Sequence, residues 1–271
     1  MSVVDAFDRI DRSGPGLAGT GQRSIVALLG AVLVVSLLVP VVSFLGTGGL
    51  TLTAVTDPAT LSALHTSLVT AGTATGLATL FGVPLAYVLA RYSFPGKRLV
   101  EAVVVLPLVL PPVVSGVMLL TAVGPETLLG RAATAVGVPI TGGYAGIVLA
   151  QVFVAGPFLV VVARSGIAGV DPTLERAARS LGRGPIETAL VVTLPLAKRS
   201  LFAGIALTFA RALGEFGATM TVAYHPQTLP IRTWVAFVSG GVDATLAPVT
   251  WLLGAGLAVV LVVHWLGDTS K

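Results

Sequence analysis

The chain has 271 residues, of which 55% are hydrophobic and only 10% are charged. A water-soluble domain carries about 25% charged residues, so this composition excludes a soluble protein and indicates a membrane protein. The sequence contains no cysteine, which excludes disulfide bonds, thiolate metal sites and a cysteine nucleophile. Its only lysines are Lys97, Lys198 and Lys271. None of them lies in a phosphate-binding GxxxxGK[ST] sequence, so we predict no Walker-type ATP site.

The apolar stretches predict an all-α integral membrane protein with six transmembrane helices of about 20 residues each. A polar tail, residues 1–23, precedes a transmembrane domain over residues 24–266, and a short tail, 267–271, follows it. The longest polar connection, residues 167–198, joins the fourth span to the fifth. We place the six spans at residues 24–45, 65–90, 99–123, 144–163, 200–223 and 247–266.

Small residues and prolines distinguish the second and third spans from the others. Gly72 and Gly76 form a GxxxG pair in the second span, which predicts close helix packing inside the bundle. The third span contains Pro107, Pro111 and Pro112. Because proline removes a helical hydrogen bond, we expect this span to be kinked or broken and to face protein or a cavity.

The orientation follows from the distribution of lysine and arginine. With six spans, thirteen of these residues fall in the segments on one side of the membrane. Only Arg131 and Arg232 fall on the other side, and Arg211 lies within a span. Since positive residues accumulate in cytoplasmic segments, both termini and the 167–198 connection are predicted to be cytoplasmic.

The 167–198 connection contains a predicted helix of about ten residues. Asp171-Pro172 is a helix-start signal, with a capping acceptor followed by proline at the first helical position. One apolar face follows at positions i, i+3, i+4 and i+7, formed by Leu174, Ala177, Ala178 and Leu181. Gly182 and Gly184-Pro185 are expected to end the helix. From these residues alone, an amphipathic helix on the membrane surface and a docking element for a soluble partner both remain open.

The spacing of this segment resembles the EAA motif, EAA-x3-G-x9-I-x-L-P, of permease subunits in binding-protein-dependent ABC importers. Ala177, Ala178 and Gly182 align with the motif, as does Leu194-Pro195. Two positions depart from it, because Arg176 occupies the glutamate position, after Glu175, and Val192 replaces isoleucine. The resemblance implies a cytoplasmic coupling helix between spans four and five that docks on a separate ATPase subunit. The coupling residues it implies are Leu174, Glu175, Arg176, Ala177, Ala178, Leu181 and Gly182.

Two intramembrane stretches, LPLVLPPVVSGVMLL (106–120) and FARALGEFGATM (209–220), resemble the molybdate, tungstate and sulfate branch of these permeases. AYHPQTLPIRTW (223–234) resembles the molybdate and tungstate members. The resemblance implies a cell-membrane homodimer that imports molybdate or tungstate, with sulfate or thiosulfate as the alternative ion. It also implies cytoplasmic ATPase subunits, and an external oxyanion-binding protein that docks on connections 46–64, 124–143 and 224–246. No cofactor, metal or nucleic acid is implied.

Arg211 and Glu215 lie four residues apart in the fifth span, so we expect them on one helix face. A charge costs about 2.5–3.5 kcal/mol at the bilayer centre, which argues against a lipid-facing position. The pair either lines the translocation pathway or its gate, or holds the helix bundle together. Thr66, Thr70 and Thr73 of the second span either line a wet path for an anion or bond their own helix carbonyls.

Two other functional classes fit the sequence less well. A stand-alone secondary anion transporter would often show an inverted repeat and several midplane charges. No clear inverted repeat is visible, and only one charged pair, Arg211 with Glu215, is predicted to be buried within the membrane. A membrane enzyme requires a catalytic constellation, and the sequence has no HExxH, no GxSxG and no clustered carboxylates. We therefore predict a transport subunit without enzymatic activity or catalytic residues of its own.

Overall fold

The structure, a computed structural model, describes residues 20–46 and 55–268, with side chains described for 27–46 and 55–262. The two predicted tails lie outside the described residues except for 20–23 and 267–268, which belong to helices. Two compact units make up the chain, residues 1–49 and residues 50–271. The described residues form helices and turns, and no strand occurs among them.

The first unit contains helix α1, Thr20–Gly46, which includes the predicted first span. The helix continues through Pro40 and is apolar around its whole circumference. Its described side chains are exposed within the chain, apart from the half-buried Phe44. A helix with this composition is stable only in lipid or against other protein, so α1 is suited to crossing a membrane.

The second unit contains twelve further helices and one π-helical turn among its described residues. In chain order they are α2 Pro58–Arg91, α3 Lys97–Val109, α4 Pro112–Val123, α5 Leu128–Ala135, α6 Tyr144–Ala168, α7 Pro172–Ser180, α8 Pro185–Thr188, the π-helical turn Ala189–Thr193, α9 Leu194–Leu196, α10 Lys198–Leu213, α11 Gly217–Val222, α12 Leu229–Ala244 and α13 Leu246–Asp268.

Among the described residues, three helices are individually long and apolar enough to cross a membrane, namely α1, α2 and α6. Three pairs of consecutive segments also qualify, and each is bent: α4 with α5 by 69°, α8–α9 with α10 by 79°, and α12 with α13 by 104°. The structure therefore has three clear spans, and up to six if each bent pair crosses once.

Helix α2 begins seven residues before the predicted start of the second span. The Asp57 side chain caps it by accepting a hydrogen bond from the Thr60 amide at 3.0 Å, and Pro58 occupies the first helical position. With 34 residues, α2 is about 51 Å long at about 1.5 Å per residue. This length exceeds the hydrocarbon core of a bilayer, which is about 30 Å thick.

The third and fifth predicted spans are both interrupted. The third breaks between α3 and α4 at Leu110-Pro111, which confirms the expected effect of the prolines. The prediction of a continuous fifth span was wrong, because α10 ends at Leu213 and α11 begins at Gly217. No proline marks this second break. It depends instead on side chains that satisfy the freed backbone groups.

The region 224–246, predicted as a connection, contains the 16-residue helix α12. Leu229 and Ile231 in its first turn are buried, and the Leu229 amide donates a 2.7 Å hydrogen bond to Oγ of Ser67 in α2. The predicted connection 124–143 likewise contains α5. Both predicted connections between spans therefore contain helices.

The core lies where α2, α6 and α10 pack together. Its buried residues are mostly small, including Ala71 of α2, Ala155 of α6 and Ala212 of α10. The expected contact through Gly72 and Gly76 is not formed among the described residues, because both glycines have open space around them there. Alanines on the opposite side of α2 make the close helix contacts instead.

Candidate functional site

Helix α7 is held at both ends as the sequence predicted. Asp171 Oδ1 accepts a 2.8 Å hydrogen bond from the Thr173 amide, and Pro172 begins the helix. Hydrogen bonding from Thr173 lowers the pKa of Asp171, because it favours the charged carboxylate. Gly182 follows the helix with φ of +88°, a left-handed conformation that disfavours other residues. The predicted cap and stop signals are therefore present.

One face of α7 is exposed in the part of the chain that the structure describes. Leu174, Ala177 and Leu181 are exposed on it, and Leu181 is 85% exposed. Arg176 is also exposed, and its Nη2 donates to Oγ1 of Thr173 at 3.0 Å. Ala178, predicted to share this apolar face, is buried instead. The helix thus presents leucine and arginine outward while a narrow strip contacts the protein.

Glu175 lies on the buried side of α7. Its Oε1 accepts hydrogen bonds from Nε of Arg91 at 2.8 Å and from Oγ1 of Thr193 at 2.7 Å. Nη2 of Arg91 also donates to the carbonyl oxygen of Val170 at 2.8 Å. Arg91 and Thr193 were absent from the predicted site. The contact could not be predicted from local sequence, because Arg91 lies 84 residues from Glu175 along the chain.

The structure brings Arg211 and Glu215 together at the break between α10 and α11. Nη2 of Arg211 lies 2.6 Å from Oε2 of Glu215, and the Glu215 side chain is fully buried. Oε1 of Glu215 accepts a 2.8 Å hydrogen bond from the Ala218 amide in the first turn of α11. Arg211 lies in the last turn of α10, where the helix dipole favours a cation. The pair therefore joins two helix ends, and 27% of the Arg211 side chain remains exposed.

Gln151 of α6 also supports this break, although sequence reasoning missed it. Its Nε2 donates to the carbonyl oxygen of Ala212 at 3.0 Å, and the side chain is fully buried. Ala212 lies in the last turn of α10, and its carbonyl oxygen also accepts a 3.1 Å hydrogen bond from the Glu215 amide. In the sequence, a single amide side chain within the apolar run of α6 is the feature that could have indicated its role.

The three predicted threonines occupy different environments. Thr66 and Thr70 are buried, whereas Thr73 is exposed. Oγ1 of Thr70 donates to the carbonyl oxygen of Thr66 at 2.8 Å, and Oγ1 of Thr73 donates to that of Val69 at 2.8 Å. Thr70 and Thr73 border a groove of about 680 Å³ between α2 and α6 that is otherwise lined mainly by apolar side chains. Both hydroxyl groups therefore donate their hydrogens to backbone carbonyls of α2 itself.

Known proteins with similar sequences are described as membrane components of transport systems. Residues 82–269 match the family described as the binding-protein-dependent transport system inner membrane component. The chain is 47% identical to a probable molybdenum ABC transporter permease protein of Haloferax volcanii, over 96% of each sequence. It is 35% identical to the molybdate/tungstate transport system permease protein WtpB of Pyrococcus abyssi, over 91% of this chain and 96% of that protein.

The fold resembles a solved bacterial alginate ABC transporter in complex with a periplasmic protein that carries an alginate pentasaccharide. The TM-score is 0.65, with 16% sequence identity, over 90% of this chain and 94% of the solved chain. At this level of identity the likeness concerns the fold alone. The helical arrangement is therefore similar to that of a subunit of an ABC importer.

Proposed function

Because the chain belongs to the family of binding-protein-dependent transport system inner membrane components, we propose that it is the permease of an importer for molybdate or tungstate. Its relatives of 47% and 35% identity, matched over nearly their whole length, are named for molybdenum or molybdate/tungstate transport. The agreement between these names is the observation that supports molybdate or tungstate as the ion. Sulfate is the alternative tetrahedral oxyanion.

The proposed topology has six spans with both termini in the cytoplasm of a cell-membrane protein. The three long helices and three bent pairs allow up to six spans, although the bent pairs also include α5, α8–α9 and α12, which the sequence places in connections. The asymmetry of lysine and arginine supports the orientation. The transmembrane domain would then cover residues 24–266, between the two tails 1–23 and 267–271. This topology places α7 on the cytoplasmic side, between the fourth and fifth spans.

The exposed residues of α7 and of its C-cap form the proposed coupling surface, which we define as Leu174, Arg176, Ala177 and Leu181. Its apolar side chains have no cover within the described chain, and burial against a partner would stabilise the contact. The partner is a cytoplasmic ATPase subunit that supplies the ATP hydrolysis. Two permease chains and two ATPase subunits would form one importer, which receives its anion from an external binding protein.

Arg211 borders the proposed anion pathway, and Glu215 holds its guanidinium in place. The partial exposure of the Arg211 side chain leaves a cationic surface beside the break. The ion pair with Glu215 reduces the attraction for a divalent anion, which favours release. Thr70 and Thr73 contribute less, because their hydroxyl hydrogens already bond helix carbonyls.

Uptake in proteoliposomes tests the proposed function. We expect labelled molybdate to enter only when the chain is reconstituted with its ATPase, its binding protein and ATP. Unlabelled tungstate should compete better than sulfate, and the purified chain alone should not hydrolyse ATP. Uptake that persists without the ATPase would identify a secondary transporter, and stronger competition by sulfate would identify a sulfate permease.

Leu181→Asp should weaken binding of the ATPase subunit about 10- to 100-fold, because burial of a leucine side chain contributes about 1.5–3 kcal/mol. The dissociation constant of the detergent-solubilised complex measures this effect. Leu128→Asp is the matched control, since Leu128 is 84% exposed but lies in α5, in a segment predicted on the opposite side of the membrane. Equal weakening by both substitutions would contradict the coupling surface.

A further inference from the structure

We propose that Arg91, Glu175 and Thr193 form a joint that transmits the movement of α7 to two membrane-embedded helices. The inference rests on the proposed function, in which α7 receives movement from the ATPase. It concerns the buried side of α7, opposite the coupling surface. The three residues are positioning residues, since they touch neither the anion nor ATP.

The joint is built around one carboxylate oxygen. Oε1 of Glu175 accepts from Nε of Arg91 at 2.8 Å and from Oγ1 of Thr193 at 2.7 Å. The Arg91 and Glu175 side chains are only 10% and 7% exposed, and Thr193 is fully buried. Nη2 of Arg91 also holds the Val170 carbonyl just before α7, at 2.8 Å. Three segments distant in sequence therefore meet at one buried charge.

Each of the three segments continues into a different part of the proposed mechanism. Arg91 is the last residue of α2, and Glu175 lies on α7. Thr193 ends the π-helical turn, which leads through α9 and a bend of 79° into α10, the helix that carries Arg211. A displacement of α7 is thus coupled to the end of α2 and, through α9 and this bend, to the start of α10.

Burial explains why the contact transmits movement. If α7 slid past α2 or the π-helical turn, Glu175 or Arg91 would be left as an unpaired buried charge, which is strongly unfavourable. An apolar cluster beneath the joint includes Leu89 of α2, Val170 and Ala197, so packing opposes the same sliding. The three segments are therefore expected to move together.

A nearby ion pair provides a matched control. Nη1 of Arg183 lies 3.1 Å from Oε1 of Glu187 in the same polar connection, but both side chains are about half exposed. An exposed pair is replaced by water at little cost. Glu175→Gln and Glu187→Gln therefore make the same chemical change, at a buried joint and at an exposed pair.

The test compares uptake with ATP hydrolysis in proteoliposomes containing the ATPase, the binding protein and labelled molybdate. For Glu175→Gln and Thr193→Val we expect the ATPase to remain bound and to hydrolyse ATP. The amount of molybdate imported per ATP should fall on the order of tenfold, as expected for the loss of a coupling free energy. Glu187→Gln should leave this ratio unchanged.

A double variant separates transmission from folding. Arg91→Met with Glu175→Met removes both charges, so the folded protein should be recovered while the low ratio of uptake to hydrolysis persists. Three results would each contradict the proposed joint. They are an unchanged ratio in Thr193→Val, a parallel loss of uptake and hydrolysis, and a normal ratio in the double variant. Failure of the unaltered chain to import molybdate with ATP would instead overturn the proposed function.

Discussion

Glu215→Gln is expected to destabilise the protein by about 1–3 kcal/mol, because the Arg211 guanidinium, which is 27% exposed, loses its buried carboxylate partner. The amide can still accept the hydrogen bond from Ala218 that the carboxylate now accepts at 2.8 Å. It cannot balance the Arg211 guanidinium, which lies 2.6 Å from the carboxylate. The midpoint of thermal unfolding of the detergent-solubilised protein, followed by the far-UV circular dichroism of its helices, measures the loss.

The control is Glu126→Gln, which makes the same change in an ion pair with Arg131 whose side chains are both mostly exposed. Little change is expected there, since exposed pairs contribute little. Arg211→Met combined with Glu215→Gln should recover much of the stability, because no buried charge remains. Equal unfolding midpoints for Glu215→Gln and the unaltered protein would contradict the role of this pair at the helix break.

The double variant also separates the two interpretations of the pair. If Arg211 borders the anion pathway, the stable double variant should still fail to import molybdate. Normal import by that variant would show that the pair has a purely structural role. Stability and transport therefore have to be measured on the same preparation.

Features with a local cause were predictable from the sequence. The start of α7 follows from Asp171 and Pro172, and the break before α4 follows from Pro111, because each residue constrains its own backbone or its neighbours. Long apolar segments likewise predicted α1 and α6, although α6 extends five residues beyond the predicted end of the fourth span. In these cases, interactions between residues close in sequence were sufficient to predict the helix and its ends.

Features that depend on distant partners were not predictable in the same way. The break after Leu213 is stabilised by Gln151, 61 residues from the Ala212 carbonyl that it bonds. The N-terminus of α12 is fixed by Ser67, 162 residues from Leu229. Glu175 was grouped with the docking residues because the motif is linear, whereas the fold turns its side chain towards Arg91. Spacing along one helix cannot reveal which neighbour covers a given face.

Gly217→Ala is expected to have the second large effect, because α11 packs directly against the start of α4. A Cβ atom at position 217 would lie 2.9 Å from both Cβ of Pro112 and the backbone nitrogen of Val113. Neither atom belongs to a flexible side-chain end that can move away. Overpacking of this kind costs about 1–3 kcal/mol, so the unfolding midpoint should fall and the two helices should separate.

Gly116→Ala should act in the same way from the opposite helix, since its Cβ would lie 2.7 Å from Cβ of Thr221. Gly76→Ala is the matched control, because this glycine in α2 has no neighbour within 4 Å. There the change should stabilise the helix by about 0.5–1 kcal/mol. If Gly217→Ala and Gly76→Ala gave the same unfolding midpoint, the close contact between α4 and α11 would be wrong. A selective loss at Gly217 and Gly116 would instead show that the segments following both helix breaks pack as one unit.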